Sequence, residues 1–245
     1  MRAIAAMRAL GPVDLKSIGR DPMLRGMIVI PLVLALVLRY GIPVLTVRLQ
    51  ESFAFDLAPY YSLLLSVVVQ FPPLLFGTVV GFLLLDQRDD QTLTALRVTP
   101  LPVSHYVAYR IIGPIILSVL TTVAMVPLVG LVEISLGATL IAAIGAAPLA
   151  PLIALGLGAF AQNKIQGFAL QKASGVFLAP PFFAYFVPIP WQLPFGILPT
   201  FWPFKLWWVL DAREPYPWLY LVVGLAYQSF LLWLLLRRFK RVLIA

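Results

Sequence analysis

Three of the ten carboxylates, Asp86, Asp89 and Asp90, fall close together, the one place in the chain where side chains able to hold a divalent cation crowd. Such clusters suit metal-dependent lipid chemistry. Arg88 lies among them, however, and on a helix Asp89 and Asp90 project in different directions, which argues against a shared ion. The single histidine, His105, excludes His-Glu-x-x-His zinc sites and histidine acid-base pairs within one chain. The lack of cysteine excludes disulfides, thiolate metal centres and a Cys nucleophile. None of the lysines follows a glycine, so the chain has no P-loop with which to bind ATP.

A second set of side chains is suited to binding rather than catalysis. Ser62, Ser66 and Gln70 recur every four residues and share one helix face. Phe71 and Phe76 are near in sequence, and Phe177, Phe182, Phe183, Tyr185 and Phe186 enrich a later segment. A weakly polar stripe facing aromatic rings fits a path for an amphiphilic, partly aromatic substrate better than for a sugar chain or an ion. Hydrogen bonding between neighbouring helices is the other use open to Ser and Gln at these positions.

The elements that must position these residues are membrane helices. The 245-residue chain is 61% hydrophobic and 11% charged, with mean hydropathy +0.96. Apolar stretches at 23–44, 60–85, 106–131, 137–160, 168–188 and 217–236 are each long enough to cross a hydrocarbon core of roughly 30 Å, the fifth being the weakest. Arg2, Arg8, Lys16, Arg20, Arg25, Arg88, Arg97, Arg110, Lys164, Lys172, Arg237, Arg238, Lys240 and Arg241 fall on the side of the termini. Only Arg39, Arg48, Lys205 and Arg213 fall on the other. That bias predicts cytoplasmic termini, and it accounts for the net charge of +8 without nucleic acid as a partner. Few charges lie inside the stretches, which disfavours ion coupling.

Two flanking segments complete the expected architecture. Residues 1–22 mix Ile4, Met7, Val13, Leu15 and Ile18 with basic side chains, as an amphipathic elbow helix lying in the membrane interface does. Residues 189–216 interleave Trp191, Phe195, Phe201, Trp202, Phe204, Trp207 and Trp208 with Pro190, Pro194, Pro199 and Pro203. Rings at headgroup level and prolines that prevent one continuous helix predict a re-entrant or interfacial hairpin. The fold class expected is an all-α polytopic membrane protein: an elbow over 1–22 and a six-helix domain over 23–245.

Between the second and third stretches lies a polar hairpin. Asp86 can cap a short helix over about 87–99, Asp89 and Asp90 fall in its first turn, and Arg97 falls in its last, all complementing the helix dipole. Leu93 and Leu96 share a face, and Thr99-Pro100 ends the helix. From Gln87 to Pro100 the hairpin reads Gln-Arg-Asp-Asp-Gln-Thr-Leu-Thr-Ala-Leu-Arg-Val-Thr-Pro. It resembles the Glu-Arg-x-x-Gly-Thr-Leu-x-x-Leu-x-x-Thr-Pro pattern of the type 2 ABC transporter permeases, with Gln87 and Gln91 in place of the usual glutamate and glycine. Asp14 to Pro22 is similar to that family's elbow. Ala161-Gln-Asn-Lys-Ile-Gln-Gly167 with Lys172 is similar to its second cytoplasmic turn, and Leu198-Pro-Thr-Phe-Trp202 to its extracellular hairpin.

The resemblance implies an exporter permease subunit in a bacterial or archaeal cell membrane, with no cofactor of its own. ATP and magnesium would be bound by separate cytoplasmic ATP-binding subunits. Gln87, Arg88, Asp89, Asp90, Leu93, Leu96 and Arg97 would form the coupling element, with Asn163 and Lys164 in the second turn. Ser62, Ser66, Gln70, Phe71, Phe177 and Phe182 would line the path of a hydrophobic or amphiphilic substrate such as a drug, antibiotic or lipid. A second permease, identical or not, would complete the assembly, and the loss of the usual glutamate at Gln87 suggests unequal halves. An ion-coupled secondary transporter, a membrane lipid-modifying enzyme and a structural or signalling partner are the competing readings.

Overall fold

The computed structural model describes residues 16, 19–20, 22–89, 103–175 and 179–244. Apart from Lys16, Gly19 and Arg20, which are helical, the expected elbow lies outside the described residues. The described residues contain helices and no strands: α1 Pro22–Phe53, α2 Tyr61–Asp89, α3 Val103–Val129, α4 Leu136–Ala146, α5 Leu149–Phe160, α6 Lys164–Ser174, α7 Ala179–Ala184, α8 Phe201–Asp211 and α9 Pro217–Ile244. Short 3-10 turns cover Ala58–Tyr60 and Leu193–Ile197.

Among the described residues, five stretches are long and apolar enough to span a membrane: Val29–Phe53, Ala58–Asp89, Tyr106–Val129, Leu136–Phe160 and Pro217–Phe239. The fourth is interrupted at Ala147 and Pro148, where α4 gives way to α5. The stretch expected over 168–188 is not among the five. Its first helix begins earlier, at Lys164, where Asn163 caps the N-terminus by accepting from Gln166 N at 3.0 Å, and α7 ends at Ala184. The first helix also runs past its expected end at residue 44 to Phe53, through Pro31 and Pro43.

The helices divide into a packed centre and an exposed rim. In the apolar windows of α2 and α4–α5, 67% of residues are buried, against 11% in α1 and α9. The centre depends on close backbone approach. A Cβ at Gly77 would stand 2.5 Å from the Ala150 carbonyl oxygen, and one at Gly81 would stand 2.5 Å from Leu157. Glycines four apart on one face therefore let α2 lie directly on α5. The rim carries exposed apolar side chains such as Val33, Val37, Leu120, Val222 and Phe230, a surface made for lipid or another apolar chain.

Candidate functional site

Polar contacts collect at one end of the bundle. Asp86 is held by Lys164 Nζ at 3.0 and 3.2 Å, an ion pair joining α2 to the start of α6. The Tyr106 hydroxyl of α3 donates to Gln87 Oε1 at 2.7 Å, and Arg88 donates to the Ala161 carbonyl at 3.1 Å. From α9, Arg238 Nε donates to the Ala159 carbonyl at 3.4 Å, with its guanidinium over the Phe160 ring at 4.2 Å. Two arginines thus cap the carbonyl end of α5, where a helix presents unsatisfied acceptors and partial negative charge. Beneath these contacts Leu84, Tyr106, Val107, Leu155, Ala159 and Phe239 form one buried cluster. Five helices are tied together at the root of segment 90–102.

This arrangement corrects the expected start of the hairpin. Asp86 does not cap a separate helix: Asp86, Gln87, Arg88 and Asp89 continue α2, which runs unbroken to Asp89. Their partners across the chain hold the extra turn in place. Asp86 faces a cation on α6, Arg88 reaches the end of α5, and Asp89 is exposed. Asp90, Leu93, Leu96 and Arg97 lie outside the described residues. In the 161–167 turn Asn163 is the cap of α6, Gln162 N donates to Gln166 Oε1 at 2.9 Å, and Lys164 makes the ion pair.

The expected substrate stripe is enclosed. Ser66 and Gln70 have 0% exposure, among Leu63, Leu65, Val69, Met125, Phe204 and Trp207 of the main core. The Ser66 hydroxyl donates back to the Leu63 carbonyl, and the Ser62 carbonyl accepts from Trp207 Nε1 at 3.0 Å. Neither polar atom of the Gln70 carboxamide has a hydrogen-bond partner among the described residues. Phe71 and Phe182 pack half-buried against the same core, while Phe177 lies outside the described residues. The structure therefore shows Ser66 and Gln70 enclosed within the core, not open as a path.

At this opposite end the rings dominate. Helix α8 folds into the bundle against α2, α4 and α9, and the 3-10 turn Leu193–Ile197 lies against α7 and α8. Trp202 Nε1 donates to the Gly196 carbonyl at 3.0 Å, and the Tyr227 hydroxyl of α9 donates to the Ile197 carbonyl. Two cations were missed as buried groups. Lys205, expected on an outer loop, is 6% exposed on α8 with its ammonium 5.6 Å from the Tyr220 ring centre. Arg110 is 1% exposed and lies against the Tyr106 and Tyr109 rings. For Arg110 the available signal was a charged residue within an apolar helical stretch, which is costly and therefore placed for a reason. Between α2, α7 and α8 a recess of about 320 Å³ is lined by Val67, Gly175, Ala179, Phe182, Phe183 and Phe204.

A bundle with several helices fit to cross a bilayer and no strand among the described residues defines a multi-pass membrane protein. The chain belongs to the Rv2686c-like family of fluoroquinolones export permease proteins, whose model matches residues 14–236. It is 34% identical over 249 residues to fluoroquinolones export permease protein Rv2686c of Mycobacterium tuberculosis (strain ATCC 25618 / H37Rv), covering 98% of each chain. The same figures hold for protein MT2760 of strain CDC 1551 / Oshkosh, which carries the same description. No solved structure matches significantly. The family gives the chain a transport role as a permease, not a catalytic one.

Proposed function

We propose that this chain is the membrane subunit of an ATP-driven exporter that moves fluoroquinolone-like or similar amphiphilic compounds outwards. ATP-binding subunits engage the segment at about 87–99, and a second permease completes the path. The observation that carries this reading is the polar clasp of Asp86, Gln87, Arg88, Tyr106, Lys164 and Arg238. A partner pressing on segment 90–102 would pull on α2 and α3 directly and, through the clasp, on α5, α6 and α9. Leu93 and Leu96 supply the apolar anchors of that contact, with Arg88, Asp89, Asp90 and Arg97 setting its orientation. Hydrolysis and magnesium belong to the partner.

Six spans with cytoplasmic termini fit this reading. The 164–184 segment has its start against Asp86, and beyond its end Tyr185 donates to the Pro59 carbonyl at 3.4 Å, so its two ends lie at opposite ends of α2. The turn at 193–200 acts as a re-entrant tip. It meets α9 at Tyr227, about 15 Å along the helix from Pro217. That is about half of a core of roughly 30 Å.

Within this mechanism Ser66 and Gln70 contact substrate when the helices packed around them separate. Gln70, buried with its carboxamide unpaired, is the observation that favours an alternative state over a permanent interhelical bond. An ion-coupled transporter or a lipid-modifying enzyme has less support, since the Asp86 carboxylate is already engaged by Lys164.

The test is co-purification with ATP-binding subunits encoded beside the chain, with ATPase activity measured for wild type and for Leu93→Asp with Leu96→Asp. Wild type is expected to assemble and the double variant to lose assembly. A wild-type chain that exports without any ATPase partner would contradict the reading.

A further inference from the structure

The recess between α2, α7 and α8 is the starting point of an unbroken series of ring contacts. Phe204, in its wall, lies 5.8 Å from Trp208, one turn further along α8. Trp208 meets Tyr185 edge-on at 5.2 Å, and Tyr185 meets Phe186 at 5.5 Å. Phe186 lies 5.9 Å from Tyr60, which stacks on Phe55 at 5.6 Å and an interplanar angle of 11°. Every separation falls within the range in which ring quadrupoles attract. The series leads from the flank of the buried core to the exposed loop between α1 and α2.

Two further observations indicate what the series handles. Phe183 and Phe186 are 61% and 57% exposed although each touches another ring, so aromatic surface is presented outwards along the series. The Trp208 indole N–H is buried with its ring at 7% exposure, yet it has no acceptor among the described residues. Buried indole donors usually find one. A recess of about 320 Å³ lies at the lower end of the range for small-molecule sites, which combine apolar walls with a few placed polar groups.

We propose that the recess receives a planar aromatic compound bearing a hydrogen-bond acceptor, and that the compound leaves by exchanging stacking partners from Phe182, Phe183 and Phe204 outwards along Trp208, Tyr185, Phe186 and Tyr60. The Trp208 indole N–H donates to the acceptor on the way. This inference rests on the export reading above and assigns it a route. The recess lies beside the Ser66–Gln70 stripe: Val67 and Phe204 line the recess, and Phe204 packs in the core that encloses Ser66 and Gln70.

The test uses norfloxacin, a planar fluorescent bicyclic acid, with the full assembly of permease and ATP-binding subunits. Binding is read from norfloxacin anisotropy and transport from efflux in cells. Trp208→Phe removes the donor and leaves a smaller aromatic ring in the core, so the thermal midpoint of the assembly is measured beside affinity to separate loss of the donor from loss of packing. Phe183→Ala removes an exposed wall of the recess, and Leu140→Ala, on α4 and outside the recess, is the control. Trp208→Phe and Phe183→Ala are each expected to bind norfloxacin about five- to ten-fold more weakly, with assembly unchanged and Leu140→Ala equal to wild type. Unchanged affinity in both variants while wild type exports would overturn the route and leave the export reading standing. A Phe183→Ala chain with normal affinity but a lowered dimer fraction would assign the recess to a second copy and overturn it as well. A wild-type assembly that neither binds nor exports norfloxacin would remove the export reading itself.

Discussion

The two ends of the bundle solve opposite problems. At the end carrying Asp86 and Lys164, directional contacts join five helices: an ion pair, a tyrosine–glutamine bond and two arginines on the carbonyls of α5. At the other end a proline-rich segment sits among rings in contact, and its side-chain bonds, such as Gln192 to Val187, Trp202 to Gly196 and Trp207 to Ser62, involve no charged group. Directional polar contacts fix one geometry and transmit displacement. Stacked and edge-on rings tolerate sliding, because their energy is spread over area. In the proposed exporter, this contrast would assign force transmission to the first end and substrate handling to the second.

Substitutions at the two ends should therefore fail differently. The largest loss of stability is expected from Trp207→Ala. Its side chain is fully buried where α8 meets α2, and removing a ring of this size from a core costs about 3–5 kcal/mol. A large fall in the thermal midpoint of the purified chain would show this, and a near-normal midpoint would mean that α8 is only loosely seated. Tyr106→Phe keeps the packing of the opposite end and removes one bond to Gln87, for a loss of about 1 kcal/mol. Its larger effect should appear as reduced ATPase stimulation in the assembly. Lys164→Ala is the mildest change. The pair with Asp86 is one-third exposed on both sides, so about 0.2–1 kcal/mol or less is at stake and stability should hardly move.

How far the chain could be read before its structure follows the same division. Helical segments were legible because their apolar runs are long, and the Ser62–Ser66–Gln70 face was legible because period four survives in any helix. That α8 is bonded to α2 beside this face was not, since the contact of Trp207 with the Ser62 carbonyl spans 145 residues and leaves no local mark. Asp86 illustrates the same limit: as a local sequence it reads as a cap, while its partner Lys164 lies 78 residues away. The 168–188 segment was read with shifted ends because its polar first turn, Lys164 to Gln166, is stabilised by the Asn163 cap and the Asp86 pair instead of by apolarity. Lys205 was read as a loop cation because a proline-rich aromatic segment gives no sign of how deeply it folds inwards.

The division of labour between the two ends is tested most directly by ATPase activity of the reconstituted assembly, with and without norfloxacin, for one variant at each end. The Leu93→Asp, Leu96→Asp double variant is expected to lose assembly and all permease-dependent ATPase activity. Trp208→Phe should keep assembly and basal activity and require about five- to ten-fold more norfloxacin for stimulation. If Trp208→Phe abolished basal activity, or the double variant assembled and responded to norfloxacin as wild type does, the separation of coupling from substrate handling would be contradicted.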